Sequence, residues 1–188
     1  MTERLARDFY ARRTLQVARD LLGKNLVHAE RSGRIVEVEA YVGPDDRASH
    51  ARVGRKGRAA IMYGPAGFAY VYQIYGVHFC FNVVTEADGY PGAVLVRAIE
   101  IAGGSGPGLV CRALGIDKSC NGLDLTTSEL YLRNATAIPG HDVRVGPRIG
   151  VDYAGEWAAH PWRFWVASSQ HVSRRRITGM TLDPAMLG

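Results

Sequence analysis

Two glutamates on one extended segment are the first candidates for chemistry. Arg34-Ile35-Val36-Glu37-Val38-Glu39-Ala40-Tyr41 alternates with period two. That spacing puts Ile35, Glu37, Glu39 and Tyr41 on one face of a strand, and Val36, Val38, Ala40 and Val42 on the other, which should meet the core. A carboxylate so placed can take a proton from water or steady a developing positive charge. A polar strand face in solvent would read the same way, and the strand alone favours that. Glu39 stands out by its neighbours: Tyr41 two residues on, and an Arg/His-rich loop directly after. Glu37 shares the face and could couple to the titration of Glu39, but a structural role is the simpler reading.

That loop opens a charge asymmetry. No Asp or Glu occurs between Arg47 and Thr85, whereas Arg47, Arg52, Arg55, Lys56, Arg58, His50 and His78 do. Four of the nine tyrosines, Tyr63, Tyr70, Tyr72 and Tyr75, fall in the same stretch. Cations that neutralise phosphates beside rings that stack on bases suit a nucleic-acid partner. A solvated basic loop followed by a core hairpin suits the sequence equally well. Tyr75 lies at a hairpin tip before Gly76, where a large ring is costly in water unless covered. A wedge between base pairs would be covered by DNA. A ring folded back over its own hairpin is the commoner arrangement.

The elements that must position these residues follow from turn and cap signals. Residues 14–22 read as a helix capped by Thr14, with Leu15, Ala18, Leu21 and Leu22 as its apolar stripe and Gly23 as its end. Asn25–Ala29 and Arg34–Val42 read as strands, closed by Gly43-Pro44-Asp45. Residues 47–67 read as irregular. Phe68–Ile74 and Val77–Val84 form a hairpin around Tyr75-Gly76. Ala93–Ile99 is a further strand, and Pro107–Leu114 a short helix stopped by Gly115. Ser128–Leu132 is read as helical, Arg148–Val151 and Arg163–Ala167 as strands. The segment from about Ile177 carries little signal and reads as a mobile tail. The sum is a single α+β domain over 1–188: a curved, mainly antiparallel sheet with flanking helices and a protruding hairpin.

Bulk properties narrow the function classes. The chain has 188 residues, enough for one domain with a sizeable core. Its net charge is +5, from 23 cations of which all but Lys24, Lys56 and Lys118 are Arg. Arg makes forked phosphate contacts that Lys cannot. Apolar runs are too short to span a bilayer, and no secretory signal is visible. Cys80, Cys111 and Cys120 are unpaired in number and widely spaced, which argues against a disulfide framework or a Cys-x-x-Cys zinc site. A reducing cytoplasm is the expected location.

Glu37-Val38-Glu39-Ala40-Tyr41-Val42-Gly43-Pro44-Asp45-Asp46, followed by Ala48-Ser49-His50, resembles the active-site strand of the alkyladenine (3-methyladenine, N-methylpurine) DNA glycosylases. Tyr70 through Asn82 resembles that family's DNA-inserting hairpin. Val94–Glu100, Gly106-Pro107-Gly108 with Arg112-Ala113-Leu114, and Arg148-Ile149-Gly150 through Gly155-Glu156-Trp157 resemble its later blocks. Five blocks in order, from about Leu15 to about Val172, are far more specific than any one motif.

The resemblance implies a monofunctional base-excision enzyme. It would flip alkylated or deaminated purines (3-methyladenine, 7-methylguanine, hypoxanthine, ethenoadenine) out of double-stranded DNA and hydrolyse the N-glycosidic bond. By the same resemblance Glu39 is the general base. Arg97 helps hold the water and a nearby phosphate, and the Ile149 carbonyl is a third water contact. Tyr41, His50 and Tyr72 wall the base, Asn82 crowds the exocyclic amine of guanine, and Tyr75 is the wedge. From the basic, acid-free stretch, and not from the resemblance, Arg52 and Arg55 join as expected DNA contacts. No cofactor or metal is implied, the expected form is a monomer, and the expected location is a bacterial cytoplasm, at the nucleoid. Val77 and His78 depart from a Met-Tyr pair in the human member, which touches the detail of DNA bending only.

Rival readings are weaker. A glycosylase/lyase needs an amine nucleophile, and none of the three lysines falls in a matched block. A zinc deaminase would show His-x-Glu and Cys-x-x-Cys. Gly146-Pro147-Arg148-Ile149-Gly150 superficially resembles a helix-hairpin-helix turn, without helical flanks. A non-catalytic nucleic-acid-binding domain is the serious alternative, and Glu39 discriminates: a pure binder has no use for a carboxylate facing a polyanion. His28, His141, His160 and His171 read as surface or capping groups, and Trp157, Trp162 and Trp165 as core. Arg174-Arg175-Arg176 reads as a solvated tail.

Overall fold

The chain is described by a computed structural model over residues 3–173 and 179–187. In order the elements are α1 (Arg7–Tyr10), α2 (Thr14–Leu21), β1 (Asn25–His28), β2 (Arg31–Val42), β3 (Ala69–Ile74), β4 (His78–Thr85), β5 (Gly92–Glu100), α3 (Pro107–Leu114), β6 (Leu130–Arg133), β7 (Val143–Gly146), β8 (Arg163–Val166) and β9 (Met180–Thr181). Short 3-10 turns fill several connections, among them His50–Val53 and Gly57–Tyr63 within the irregular stretch. The described strands form one antiparallel, unclosed sheet in the order β3-β4-β5-β2-β8-β7-β9, with β1 joining β2 to β6. The α+β expectation therefore stands.

Local chemistry explains the helices. In α2 the buried Val17, Ala18 and Leu21 recur at helical spacing and pack on β2 and β5. Thr14 is the first helical residue, not the cap. Its amide and hydroxyl both donate to Glu86 Oε1, at 2.6 and 2.8 Å, so a distant carboxylate does the capping. Gly23 is required: its φ is +88°, and a Cβ there would lie 2.8 Å from the Thr136 carbonyl oxygen. In α3, Pro107 occupies the first turn and Gly115 closes the helix in the left-handed conformation. Its Val110, Cys111 and Leu114 are buried, and the helix packs on β4 and β5.

β2 positions the glutamates, and its alternation is broken in a useful way. Ile35 pairs with Ile99, Glu37 with Ala98 and Val38 with Val96. Val36 on one strand and Arg97 on the other are thus each an extra residue in the ladder, as in a β-bulge. The irregularity sends Ile35 into the main core with Val36, Val38 and Ala40, rather than onto the glutamate face.

Three expectations are corrected. Residues 128–132 are not helical. Leu130–Arg133 is β6, where buried Leu130 and Leu132 alternate with half-buried Tyr131 and Arg133 and pair with β1. Residues 148–151 form no strand, because Gly150 takes a positive φ and Arg148 turns inward to an ion pair. The strand lies just upstream, as β7. The chain beyond residue 178 also carries structure: β9 pairs with β7, and Pro184–Leu187 is a 3-10 turn. Arg174-Arg175-Arg176 lies outside the described residues.

Candidate active site

β2, β3, β4 and β5 present one face to a cavity of about 380 Å³. Tyr41, His50, Tyr72, Asn82, Arg97 and Ile149 all line it, and Tyr75 stands at its margin. Seven of the sequence-predicted residues are therefore brought together, while Glu39, Arg52 and Arg55 do not line the cavity. Glu39 is 0% exposed and does not itself line the cavity. It lies beneath three residues that do. The Tyr41 hydroxyl donates to Glu39 Oε2 at 3.0 Å, Arg97 Nη1 pairs with the same oxygen at 3.3 Å, and the Ile149 amide donates to Oε1 at 2.7 Å. Ile149 thus meets Glu39 through its N–H. A solvent-facing strand side is excluded for both glutamates, since Glu37 is equally buried.

Buried charges here are paired, as their desolvation demands. Glu37 Oε1 accepts from Arg97 Nε at 3.2 Å and Arg163 Nη1 at 3.1 Å. Ser173 donates its hydroxyl to the same oxygen at 2.9 Å and its amide to Oε2 at 2.7 Å. Burial works against the Arg97 charge, but Glu39 and Glu37 outweigh it and raise its pKa. A second pair anchors the site from below. Arg148 forks onto both oxygens of Asp46, which also accept the amides of Val42 and Ala48. The Arg148 guanidinium lies 4.9 Å from the ring centres of both Tyr41 and Trp162. It therefore fixes the Tyr41 wall and, through its neighbour, Ile149.

The aromatic walls follow strand geometry. His50 and Tyr72 meet edge to face with centroids 4.7 Å apart, leaving no slot between them. His50 Nδ1 and the Tyr70 hydroxyl share a hydrogen bond of 2.7 Å. Burial raises the phenol pKa of both Tyr70 and Tyr72, and of Tyr41, where Glu39 adds to it. Tyr70 therefore keeps a proton to donate. Asn82 is buried and donates to the Tyr70 carbonyl at 3.0 Å. The Cys80 thiol lines the cavity beside Tyr72, and burial pushes its pKa up to about 11, which disfavours the reactive thiolate. Lys24, Lys56 and Lys118 do not line the cavity, and Lys24 is held by Asn134 and the Ala135 carbonyl. Among the described residues no group of His, Cys, Asp and Glu is arranged to hold a metal.

His50 gives a pH prediction. Burial first, then Arg58 and Arg52, lower its pKa from the usual 6.5. The ring is expected to take up its proton at a lower pH than a free histidine, and an NMR titration of its ring resonances checks this. The unfolded chain takes up the proton first as pH falls, so this group's contribution to stability is present above its ordinary pKa and is lost in acid. Arg58→Ala should move the His50 titration back toward the ordinary value.

The hairpin tip is built for display. Tyr75 and Gly76 both have positive φ, +50° and +71°, as a type I′ hairpin turn requires. The Tyr75 side chain is 90% exposed, so it is not folded back over the hairpin. Arg52 is exposed on the neighbouring loop, with its guanidinium 5.5 Å from the Tyr153 ring centre at the cavity rim. Arg55 is exposed between the two 3-10 turns and does not line the cavity.

Sequence reasoning missed Asp46, Arg148, Tyr70 and Tyr153. Asp46 and Arg148 each fall in a block that carries the resemblance, but no local feature of the sequence marks them as partners.

An open antiparallel sheet carrying a buried carboxylate under a tyrosine-lined cavity, with a bare aromatic hairpin tip beside it, is the frame of an enzyme that works on a base. The family model for Methylpurine-DNA glycosylase matches residues 8–170. A protein of Myxococcus xanthus (strain DK1622) named "Putative 3-methyladenine DNA glycosylase" is 54% identical over 181 residues, covering 90% of this chain and 93% of that one. Proteins of the same name from Anaeromyxobacter dehalogenans (strain 2CP-C) and Methanocella arvoryzae are 55% and 48% identical, over 91% of this chain and 87% and 96% of theirs. The chain belongs to the methylpurine-DNA glycosylase family and is a hydrolase of N-glycosyl bonds, with DNA as its substrate. The non-catalytic binding domain is thereby set aside. No helix among the described residues is long and apolar enough to cross a membrane.

Proposed function

We propose that the chain is a monofunctional base-excision glycosylase that flips alkylated or deaminated purines from duplex DNA and hydrolyses their N-glycosidic bond with a water activated by Glu39. The observation that carries this reading is the division of the Glu39 carboxylate among Tyr41, Arg97 and the Ile149 amide, directly beneath the cavity.

Unstacking the nucleotide costs about a few kcal/mol. The exposed Tyr75 ring, filling the gap in the stack, and the Arg52 and Arg55 cations on phosphates offset that cost. The flipped base lies between Tyr41 on one side and the His50–Tyr72 pair on the other. A methylated purine carries a positive ring, which favours the electron-rich faces of neutral Tyr and His. Asn82, fixed by the Tyr70 carbonyl, narrows the floor against the guanine amine. The bond from the sugar carbon to the base nitrogen then breaks with oxocarbenium character. Water attacks from the opposite side, forming the new carbon–oxygen bond. Its proton passes to Glu39, whose charge also steadies the sugar cation. The Ile149 carbonyl and Arg97 hold the water, and Arg97 also meets the adjacent phosphate. A cationic base departs neutral, so the balance closes without an acid. A neutral base such as hypoxanthine leaves as an anion and needs a proton.

The test is base release from duplexes carrying single 3-methyladenine, 7-methylguanine, hypoxanthine or ethenoadenine lesions. Free base and an intact abasic strand are expected, with the cationic lesions released. A nicked strand trapped covalently by borohydride, or no release from any of them, would overturn the proposal.

A further inference from the structure

Glu37 touches neither the cavity nor the water path, yet it is fully buried and accepts four hydrogen bonds. We propose that Glu37 is a positioning residue that holds Arg97 so that it does not fork onto Glu39. This rests on the reading of Glu39 as the base.

The argument starts from the guanidinium. A free Arg beside one carboxylate docks with two parallel N–H bonds. Such a fork on Glu39 would hold it so firmly as an anion that proton uptake from water would be disfavoured. Arg97 does not dock that way. Its Nε is given to Glu37 in a hydrogen bond of 3.2 Å, whereas its nearest approach to Glu39 is an ion pair through Nη1 at 3.3 Å. Arg97 stands at the bulge of β5, and its guanidinium meets both carboxylates. Arg163 and both donors of Ser173 supply the other three hydrogen bonds to Glu37. The result is two buried carboxylates balanced by two buried guanidiniums.

The other groups around Glu39 do not supply this effect. Tyr41 from β2, Tyr72 from β3 and Cys80 from β4 are held neutral by burial. Arg163 faces Glu39 across the β2–β8 register but spends Nη1 on Glu37 and Nε on the Pro147 carbonyl. Arg148, beyond the Tyr41 ring, is forked onto Asp46.

The experiment is the pH profile of single-turnover release from a 7-methylguanine duplex, with enzyme in excess. For Glu37→Gln, checked for folding by circular dichroism, the acid limb should move to lower pH by about half a unit or more, with a plateau about threefold lower. Parallel slowing at every pH, or an unmoved limb, would show Glu37 to be structural only and overturn the proposal. Ser173→Ala is the second variant. It strips one donor from Glu37 and leaves it a stronger competitor for Arg97, so the limb should move to higher pH. If Glu37→Gln does not fold, an unmoved or lowered limb in Ser173→Ala overturns the proposal instead. Glu39→Gln in the same assay separates the two readings. Release with a wild-type limb in that variant removes Glu39 as the base. No release there, with an unmoved limb in Glu37→Gln, removes only the role of Glu37.

Discussion

Glu39→Gln is expected to bind lesion-containing duplex as the wild type does and to release base at least ~10³-fold more slowly. The substitution is nearly isosteric, and its surroundings tolerate it. Ile149 can donate to the new carbonyl oxygen and the Tyr41 hydroxyl can rotate to accept from the new amide, while Arg97 must turn Nη1 away from that amide and keeps Glu37 as its counter-charge. What is lost is the proton acceptor and the negative charge beneath the sugar, both needed only as the bond breaks. The loss should therefore appear in the single-turnover rate and not in affinity. Release within tenfold of the wild-type rate would remove Glu39 from the mechanism. A matching loss of affinity would instead mean that the fold around Arg97 had collapsed.

Asp46→Ala is expected to cost about 3–5 kcal/mol of stability, because it strands a buried guanidinium. Neither side chain of the Asp46–Arg148 pair is exposed. Arg148 would keep its bonds to the Ala40 and Trp157 carbonyls, at 3.0 and 3.1 Å, but no counter-charge. Typical domains have only about 5–15 kcal/mol in hand, so the denaturation midpoint should fall sharply. Removing both charges, as in Asp46→Ala with Arg148→Met, should restore part of that stability. Activity should not return with it, because Tyr41 and Ile149 lose their anchor. Chemical denaturation of the three variants checks this, and a double variant no more stable than Asp46→Ala would refute the explanation.

Much of the fold was legible wherever one residue type dictates backbone geometry. Pro107 and Gly115 bracket α3, and Tyr75-Gly76 marks the hairpin tip, because φ preferences act locally. Alternation located β2 and thus put Glu37, Glu39 and Tyr41 on one face. It could not show the bulges at Val36 and Arg97, which depend on the partner strand, and so misplaced Ile35. Burial of that face was also invisible, because the covering groups come from distant chain. Ser173 reaches Glu37 across 136 residues and Arg148 reaches Asp46 across 102. β6 was misread because a four-residue strand shows two alternations at most, and its identity comes from pairing with β1. Within the site, the resemblance carried the roles. The bonding that makes those roles physically reasonable came only from the fold.

The backbone at Tyr75 has a consequence for how this protein would respond to selection. A left-handed conformation costs a non-glycine residue about 1–2 kcal/mol, and the exposed ring recovers nothing from the folded protein around it. Gly or Asn at position 75 would relieve the strain. Laboratory evolution for heat tolerance alone should therefore drift toward those residues, and the survivors would be sturdier proteins with a blunted tip. Under the proposed wedge role, position 75 is a place where stability and usefulness pull in opposite directions, and a screen that rewards only the first would erase the second.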